Sequence, residues 1–313
     1  MNMHAGQLAI TVTVVRDLIA GQFPRWRELP VSRVASPGTV NAIFRIGDGL
    51  TARFPLQDAD PGEARRRLES EAAAARELGG ATRFPVPEPV ALGQPGQGYP
   101  LPWSVQTWLP GVTGDDDNPA GAVPFARDLA EFIGGVEAID TLGRTFSGQG
   151  RGGDLQDHDE WMSTCFRESE RLLDVPRLSR RWAGFRSLPR QAPDVMSHGD
   201  LTPGNVLVAD GRLAGVLDVG SFGPADPALD LISAWNMTEA GPRQVLREAL
   251  HCTDLDWERG KAWAFQQAMG LVWYYADTNP VMSRLGQVTL NRIMSAPVSR
   301  AALGGLSASA TRP

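Results

Sequence analysis

Apolar residues recur at 12, 15, 18 and 19 in "TVTVVRDLIAGQ", the spacing of one helix face, and predict a helix over 11–22. The pattern then changes. Two short apolar runs at about 40–46 and 50–54 flank Gly47-Asp48-Gly49, which predicts two strands joined as a hairpin, with the turn "SPGT" before the first. In "DPGEARRRLESEAAAARELGG" Asp60 is placed to cap a helix, Pro61 to occupy its first position, and Gly79-Gly80 to stop it. Residues 85–90, "PVPEPV", read as an extended connector, and "PWSVQTWLPG" as a strand closed by a Pro-Gly turn. Helix, strands, helix and strand up to about residue 108 suit a small sheet with one helix across it.

Beyond that point the helical period dominates. The polar stretch "VTGDDDNPAGAVP" is read as a loop leading into a second, mostly helical part. Helices are predicted in "PFARDLAEFIGGVEAID", "DEWMSTCFRESERLLDV" and "WERGKAWAFQQAMGLVWYYAD". One interruption stands out: "NVLV" and "LAGVLD" flank Asp210-Gly211 and predict a second hairpin. Internal repeats are absent, and the tail "GGLSASATRP" is expected to be disordered.

Composition narrows the possibilities. A chain of 313 residues holds one large or two modest domains, and 42% apolar with 21% charged residues fits an ordinary soluble globular protein. A formal charge of −6 without any basic run argues against nucleic acid as a partner. Net acidity is compatible with a cationic substrate, and equally with an ordinary solvated surface. Two cysteines, Cys165 and Cys252, make neither a disulfide framework nor a structural zinc site. The N-terminus lacks a basic segment followed by a long apolar run, and nothing approaches the roughly 20 apolar residues of a membrane span. A soluble, cytoplasmic protein without a membrane partner is expected. Lys261 is the single lysine, so chemistry that commonly uses lysine must use arginine here.

The second hairpin concentrates the chemistry. Pairing across Asp210-Gly211 is expected to fold Asn205 and Asp218 back to one end, where their oxygens could share a hard cation. Mg²⁺ takes one or two protein oxygens and completes its octahedron with phosphates and water. Asp200, five residues before Asn205 on a Pro/Gly-containing loop, is within reach of the same opening. A carboxylate there can accept a proton from an attacking hydroxyl. A zinc site would want more His or Cys at ligand spacing, and the four histidines are scattered at 4, 158, 198 and 251. No G-x-S-x-G elbow supports a serine hydrolase. His198 reads as a structural hydrogen-bonding residue.

"HGDLTPGN" followed by "VLDVG", then "GPADPALDLISAW", resembles the catalytic and metal-binding loops of the aminoglycoside phosphotransferase family, with "FRIGDGLTARFP" and "WSVQTWLPG" matching in the first part. The resemblance implies an α+β, bilobal, protein-kinase-like fold. Residues 1–108 would form a small N-terminal nucleotide-binding lobe with an antiparallel sheet and a helix, and 109–313 a larger, mostly helical catalytic and substrate-binding lobe. A hinge would lie at about 105–109. It further implies ATP or GTP with Mg²⁺, Asp200 as base or orienting carboxylate, and Asn205 and Asp218 as metal ligands. Arg53 would touch the α/β-phosphates, with Glu71 rather than Glu69 as its ion-pair partner. Backbone groups of Gln106, Thr107 and Trp108 would hold the adenine, and residues 36–42, with Asn41, would cover the phosphates. Asp226 and Asp230 would hydrogen-bond backbone around the catalytic loop.

The departures from the family pattern are Val219, where an aromatic is common, and a phosphate loop with a single glycine, Gly38. Several roles have structural alternatives: Arg53 as a surface arginine, and Trp257, Trp263 and Trp273 as core, while Tyr274, Tyr275 and Asp277 are cleft residues by analogy alone. "DLQDHDEW", with Asp154, Asp157, Asp159 and Glu160, reads either as an acidic wall for an amine-rich substrate or as a solvated helix start. The resulting expectation is an ATP-dependent kinase acting on a hydroxyl of a small molecule, an aminoglycoside or related antibiotic first. A macrolide, or a small alcohol such as homoserine or choline, comes next, then a non-catalytic nucleotide-binding descendant. A monomer or homodimer is expected.

Overall fold

The computed structural model describes residues 8–34 and 40–297. The chain divides into two compact units, Met1–Gly111 with Ala214–Gly220, and Val112–Leu213 with Ser221–Pro313. The turn "SPGT" and the tail from 304 onward lie outside the described residues.

The first unit contains α1 (Val12–Gln22), β1 (Val31–Arg33), β2 (Asn41–Ile46), β3 (Leu50–Pro55), α2 (Pro61–Leu78), β4 (Pro89–Gly93) and β5 (Trp103–Thr107). Its strands form one antiparallel sheet in the order β1-β2-β3-β5-β4. Alternation decides the faces: Ala42, Phe44 and Ile46 of β2 are buried while the residues between them are half-buried. Phe54 stacks on Trp103 at 4.7 Å, and these rings join Val15, Leu18 and Ile19 of α1 in the core. Helix α2 starts as expected. The Asp60 carboxylate accepts from the Glu63 amide at 2.9 Å, Pro61 opens the helix and Gly79 ends it. The connector 85–90 is extended, but its last two residues already belong to β4, where Pro89 marks a register shift.

The second unit holds β6 (Val112–Thr113), α3 (Val123–Glu137), α4 (Asp159–Glu168), α5 (Val175–Phe185), β7 (Val195–Ser197), β8 (Val206–Ala209), the start of β9 (Arg212–Val216), β10 (Gly223–Ala225), α6 (Ile232–Met237), α7 (Ala240–Ala249), α8 (Asp254–Tyr274) and α9 (Pro280–Ser295). Strand β7 pairs antiparallel with β10, and a three-stranded sheet runs β6-β8-β9. The chain leaves this unit within β9 and re-enters it after Gly220. Asp210 and Gly211 both have positive φ, as a two-residue hairpin turn requires.

Several elements differ from the sequence expectation, which does not include β1, β7, β10, α6, α7 or α9. The helix expected over 159–175 stops at Glu168, and a further helix starts at Val175, where Asp174 caps it by accepting from the Arg177 amide at 3.2 Å and Pro176 follows in its first turn. The last expected helix begins earlier, at Asp254, because Thr253 and Asp256 form a reciprocal capping box. The polar loop after 111 opens with the short strand β6. Helix α8 is buried almost all round, as the centre of a helical unit must be. Trp257 and Trp263 are core residues, and Trp273 is half-buried beside Trp161 at 5.8 Å.

Candidate active site

In the first unit the site residues gather on one charge cluster. Arg53 lies on the central strand β3, opposite Ile43 and Ser104, and is 8% exposed, so it is not a surface arginine. Its Nη1 donates to Glu71 Oε2 at 3.2 Å, and its Nη2 lies 3.4 Å from Asp218 Oδ1. Helical period explains the choice of glutamate. Ala64, Leu68, Ala75 and Leu78 form the buried stripe of α2, and Glu71 falls on it at the i+3/i+4 spacing. Glu69 turns away and accepts from Arg65 at 2.8 Å. Burial pushes the Glu71 carboxyl above its ordinary value, Arg53 opposes this, and Asp218 reinforces it. Asp218 adopts φ 56°, an uncommon left-handed backbone that aims its carboxylate at Arg53 rather than along the strand. Because Ala72 and Ala75 are small, a cleft of about 200 Å³ stays open beside the pair, lined also by Ser104 and Gln106.

The segment 106–108, expected to hold the adenine, is more constrained than its sequence suggests. The Thr107 amide donates to Glu88 O at 2.9 Å and the Trp108 amide to Gly49 O at 2.8 Å, so both donors are spent inside the unit. Gln106 is paired to Thr51 in β3. Leu109, one residue on, has an amide that makes no hydrogen bond among the described residues. Asn41 begins β2 opposite Pro55, half-buried. Of the segment 36–42, expected to cover the phosphates, residues 36–39 lie outside the described residues.

In the second unit a rigid loop presents Asp200. Buried Asp230 accepts from the amides of His198 at 2.7 Å and Gly199 at 3.0 Å. Gly199 has φ 80°, and a Cβ there would stand 2.7 Å from Ser221 O, so only glycine fits. Asn236 Nδ2 donates to Leu201 O at 3.0 Å, and the Asn205 amide to Thr202 O at 2.9 Å. His198 is fully buried and its Nδ1 accepts from the Asp200 amide at 3.4 Å, a structural role. Asn205 Nδ2 donates to Asp200 O at 2.9 Å and to Asp200 Oδ2 at 3.0 Å.

Two partners of Asp200 were invisible in the sequence. Arg151 Nη2 donates to Asp200 Oδ1 at 2.6 Å, and Gln267 Nε2 to the same oxygen at 3.1 Å. Arg151 comes from the glycine-rich stretch after α3, which carries no motif. Gln267 left a trace, as one of two adjacent glutamines in the apolar stretch from Ala262 to Tyr274 of α8.

Asp226 does accept a backbone amide, that of Ala228 at 3.0 Å on Oδ1, but not one of the loop that carries Asp200. Its Oδ2 takes the Arg259 guanidinium and the Trp263 indole N–H, the latter at 2.8 Å, because α8 brings both to it. The acidic stretch is also partly spent. Asp159 accepts both from Arg186 Nε at 2.8 Å and from Trp182 Nε1 at 2.9 Å, whereas Asp154, Asp157 and Glu160 stay exposed. The side-chain hydrogen bond from Arg186 holds the Asp159 carboxyl below its ordinary value.

Asn205 spends only its nitrogen, which leaves its side-chain oxygen unused, and Asp218 Oδ2 takes no hydrogen bond among the described residues. Among the described residues no group of three or more His, Cys, Asp or Glu is gathered as a ready-made metal site. None of their helices is long and apolar enough to cross a membrane.

Comparison with known proteins agrees with the architecture. The model of the phosphotransferase enzyme family matches residues 32–263, well over half of the chain, and the chain belongs to that family. An aminoglycoside 3'-phosphotransferase of Escherichia coli is 41% identical over 59 residues, which are 18% of this chain and 22% of that protein. The chain thus matches only about a fifth of that curated relative's length. Over nearly the whole chain the fold is that of a GDP complex of aminoglycoside 2'-phosphotransferase-IIIa, at 18% identity and TM-score 0.71, covering 91% of this chain and 99% of that one. A macrolide 2'-phosphotransferase of Brachybacterium faecium, crystallised as the apoenzyme, superposes with TM-score 0.60 and 18% identity over 91% and 99% of the two chains. The fold is therefore the α+β kinase-like one that the sequence motifs implied.

Proposed function

We propose that this chain transfers the γ-phosphoryl group of ATP, or of GTP, to a hydroxyl of a small molecule, an aminoglycoside or related antibiotic in the first instance. The observation that carries this reading is the state of Asp200. Its carboxylate is held from three sides by Asn205, Arg151 and Gln267, yet its side chain remains 34% exposed. A buried structural carboxylate has no need of that exposure, whereas one that orients an acceptor hydroxyl does.

The other roles follow from chemistry. Arg53, with no lysine available, offers a planar fork to phosphate oxygens while Glu71 fixes its other edge. Asn205 and Asp218 are the proposed Mg²⁺ ligands, and the ion when bound supplies charge neutralisation on the phosphates. Adenine, or guanine, is held at Gln106–Trp108 through carbonyl oxygens, with the Leu109 amide as the donor still free to serve. Transfer then depends on positioning and electrostatics more than on covalent help from the protein. The two-domain boundary near 108 and a cytoplasmic setting belong to the same proposal; the thiols of Cys165 and Cys252 are unpaired. The protein would act as a monomer or homodimer on a small molecule, without nucleic acid or membrane.

One observation favours a second acceptor class. Trp161 and Tyr274 are exposed at 39% and 46%, and Asp159 of the acidic stretch is already paired with Arg186. An aromatic surface with a weakened acidic one fits a macrolide better than a polyamine. The deciding experiment is ATP and GTP consumption over a panel of aminoglycosides, macrolides and small alcohols such as homoserine and choline, with mass spectrometry for one added phosphate. A wild-type protein that binds nucleotide with Mg²⁺ and phosphorylates nothing in the panel would favour a non-catalytic descendant.

A further inference from the structure

Each carboxylate oxygen offers about two acceptor positions. On Asp200 those of Oδ1 are both filled, by Arg151 Nη2 at 2.6 Å and Gln267 Nε2 at 3.1 Å, while Oδ2 has one donor, Asn205 Nδ2 at 3.0 Å. The partners come from three separate elements of the same unit, so the carboxylate plane is set by three independent anchors. Arg151 is itself fixed. Its Nη2 also reaches Gly199 O at 3.4 Å. The next residue, Gly152, accepts the Asp226 amide at 2.8 Å, and its φ of 134° and the 2.7 Å from its would-be Cβ to Ala225 leave room for glycine alone. Arg151 is partly buried, with its Nε shielded and unpaired, so the guanidinium is held against Asp200 with little competition from water.

We propose that Arg151 is a positioning residue for phosphoryl transfer. It saturates Oδ1, holds the carboxylate plane with Gln267, and leaves the single open acceptor position on Oδ2 for the substrate hydroxyl. As the acceptor oxygen bonds to the γ-phosphorus and the bond from that phosphorus to the β,γ-bridging oxygen breaks, the hydroxyl proton passes to Oδ2 and then to solvent, and the nucleoside diphosphate leaves. Arg151 touches neither reactant in this scheme and acts through Asp200. The inference rests on Asp200 being the acceptor-orienting carboxylate.

The test uses the full chain with Mg²⁺-ATP and an acceptor phosphorylated by the wild type, comparing R151A, R151K and D200N. Loss of one charge-assisted hydrogen bond to a reacting group predicts a kcat of R151A lower by roughly 10- to 100-fold, with KM for ATP within about twofold of wild type. R151K should recover part of that loss, and added guanidinium should restore R151A activity in a saturable way without affecting wild type. A melting temperature for R151A close to wild type excludes a fold defect as the cause. Should R151A match or exceed the wild-type kcat, or should guanidinium and R151K fail to restore anything, the assignment of Arg151 is overturned while a dead D200N leaves the Asp200 reading standing. A fully active D200N overturns both.

Discussion

Asp200 and Asp230 lie in the same unit and around the same loop, and their surroundings set them to different tasks. Asp230 is 1% exposed and accepts from two backbone amides, donors that have no other position to adopt. Burial pushes its pKa up, while His198 and those two amides draw it down. Asp200 accepts through its carboxylate only from side chains, each on a different element, and keeps one acceptor position open toward solvent. A carboxylate that shapes a loop must be satisfied permanently, because an unpaired buried group is costly. One that receives a substrate must be oriented and still incomplete. The difference between the two is therefore a guide to function that residue type alone does not supply.

That contrast can be broken at several points. The largest effect is expected at the open carboxylate: Asp200→Asn should lower turnover by about 10²- to 10⁴-fold, with an unchanged melting curve, measured by coupled ATP consumption and calorimetry. Full activity would end its assignment as base. The reverse profile is expected at Asp226, where Asp226→Ala leaves Arg259, 4% exposed, without its carboxylate partner and with only the Leu188 and Pro189 carbonyls; a loss of about 3–5 kcal/mol in urea unfolding is expected. Glu71→Gln should weaken nucleotide binding by roughly tenfold, since the fork of Arg53 loses one charge-assisted anchor and keeps Asp218; isothermal titration checks this.

The smallest effect concerns pH. Burial, helped by Asp230 and Asp256, raises the Glu137 carboxyl from 4.5 to about 7. The folded protein then retains a proton that the unfolded chain releases near the ordinary value. This stabilisation is fully present below about 4.5 and is lost as pH rises through about 7. Denaturant midpoints measured from pH 4.5 to 7 should fall less in Glu137→Gln than in wild type, and parallel curves would remove Glu137 from the account.

Legibility followed the range of the interaction. Asp60 capping α2, the Asp210-Gly211 turn and the period-2 faces of β2 were readable because a cap, a turn and a strand involve residues a few positions apart. The same reach failed after Glu168, where the expected helix stops short and Asp174 caps a separate helix that begins at Val175. Glu71 was separable from Glu69 because both sit on one helix whose period sorts its faces. Asp226 was read in part: it accepts a local backbone amide, that of Ala228, but its other partners, Arg259 and Trp263, lie 33 and 37 residues on.

By itself the sequence determined the two hairpins, the helices α1, α2 and α3 and most of α8, the cap and turn at Asp60 and Asp210-Gly211, and the loop that carries Asp200 and Asn205. Those features depend on backbone dihedrals and near neighbours, which a local pattern encodes. Only the tertiary structure decided that Arg151 and Gln267, 49 and 67 residues from Asp200, would close one of its oxygens and leave the other open. It also decided that the amides of Thr107 and Trp108 would be spent within their own unit. Such pairings arise when packing brings remote elements together, and hydrogen-bonding capacity is consumed by whichever donor packing places within reach.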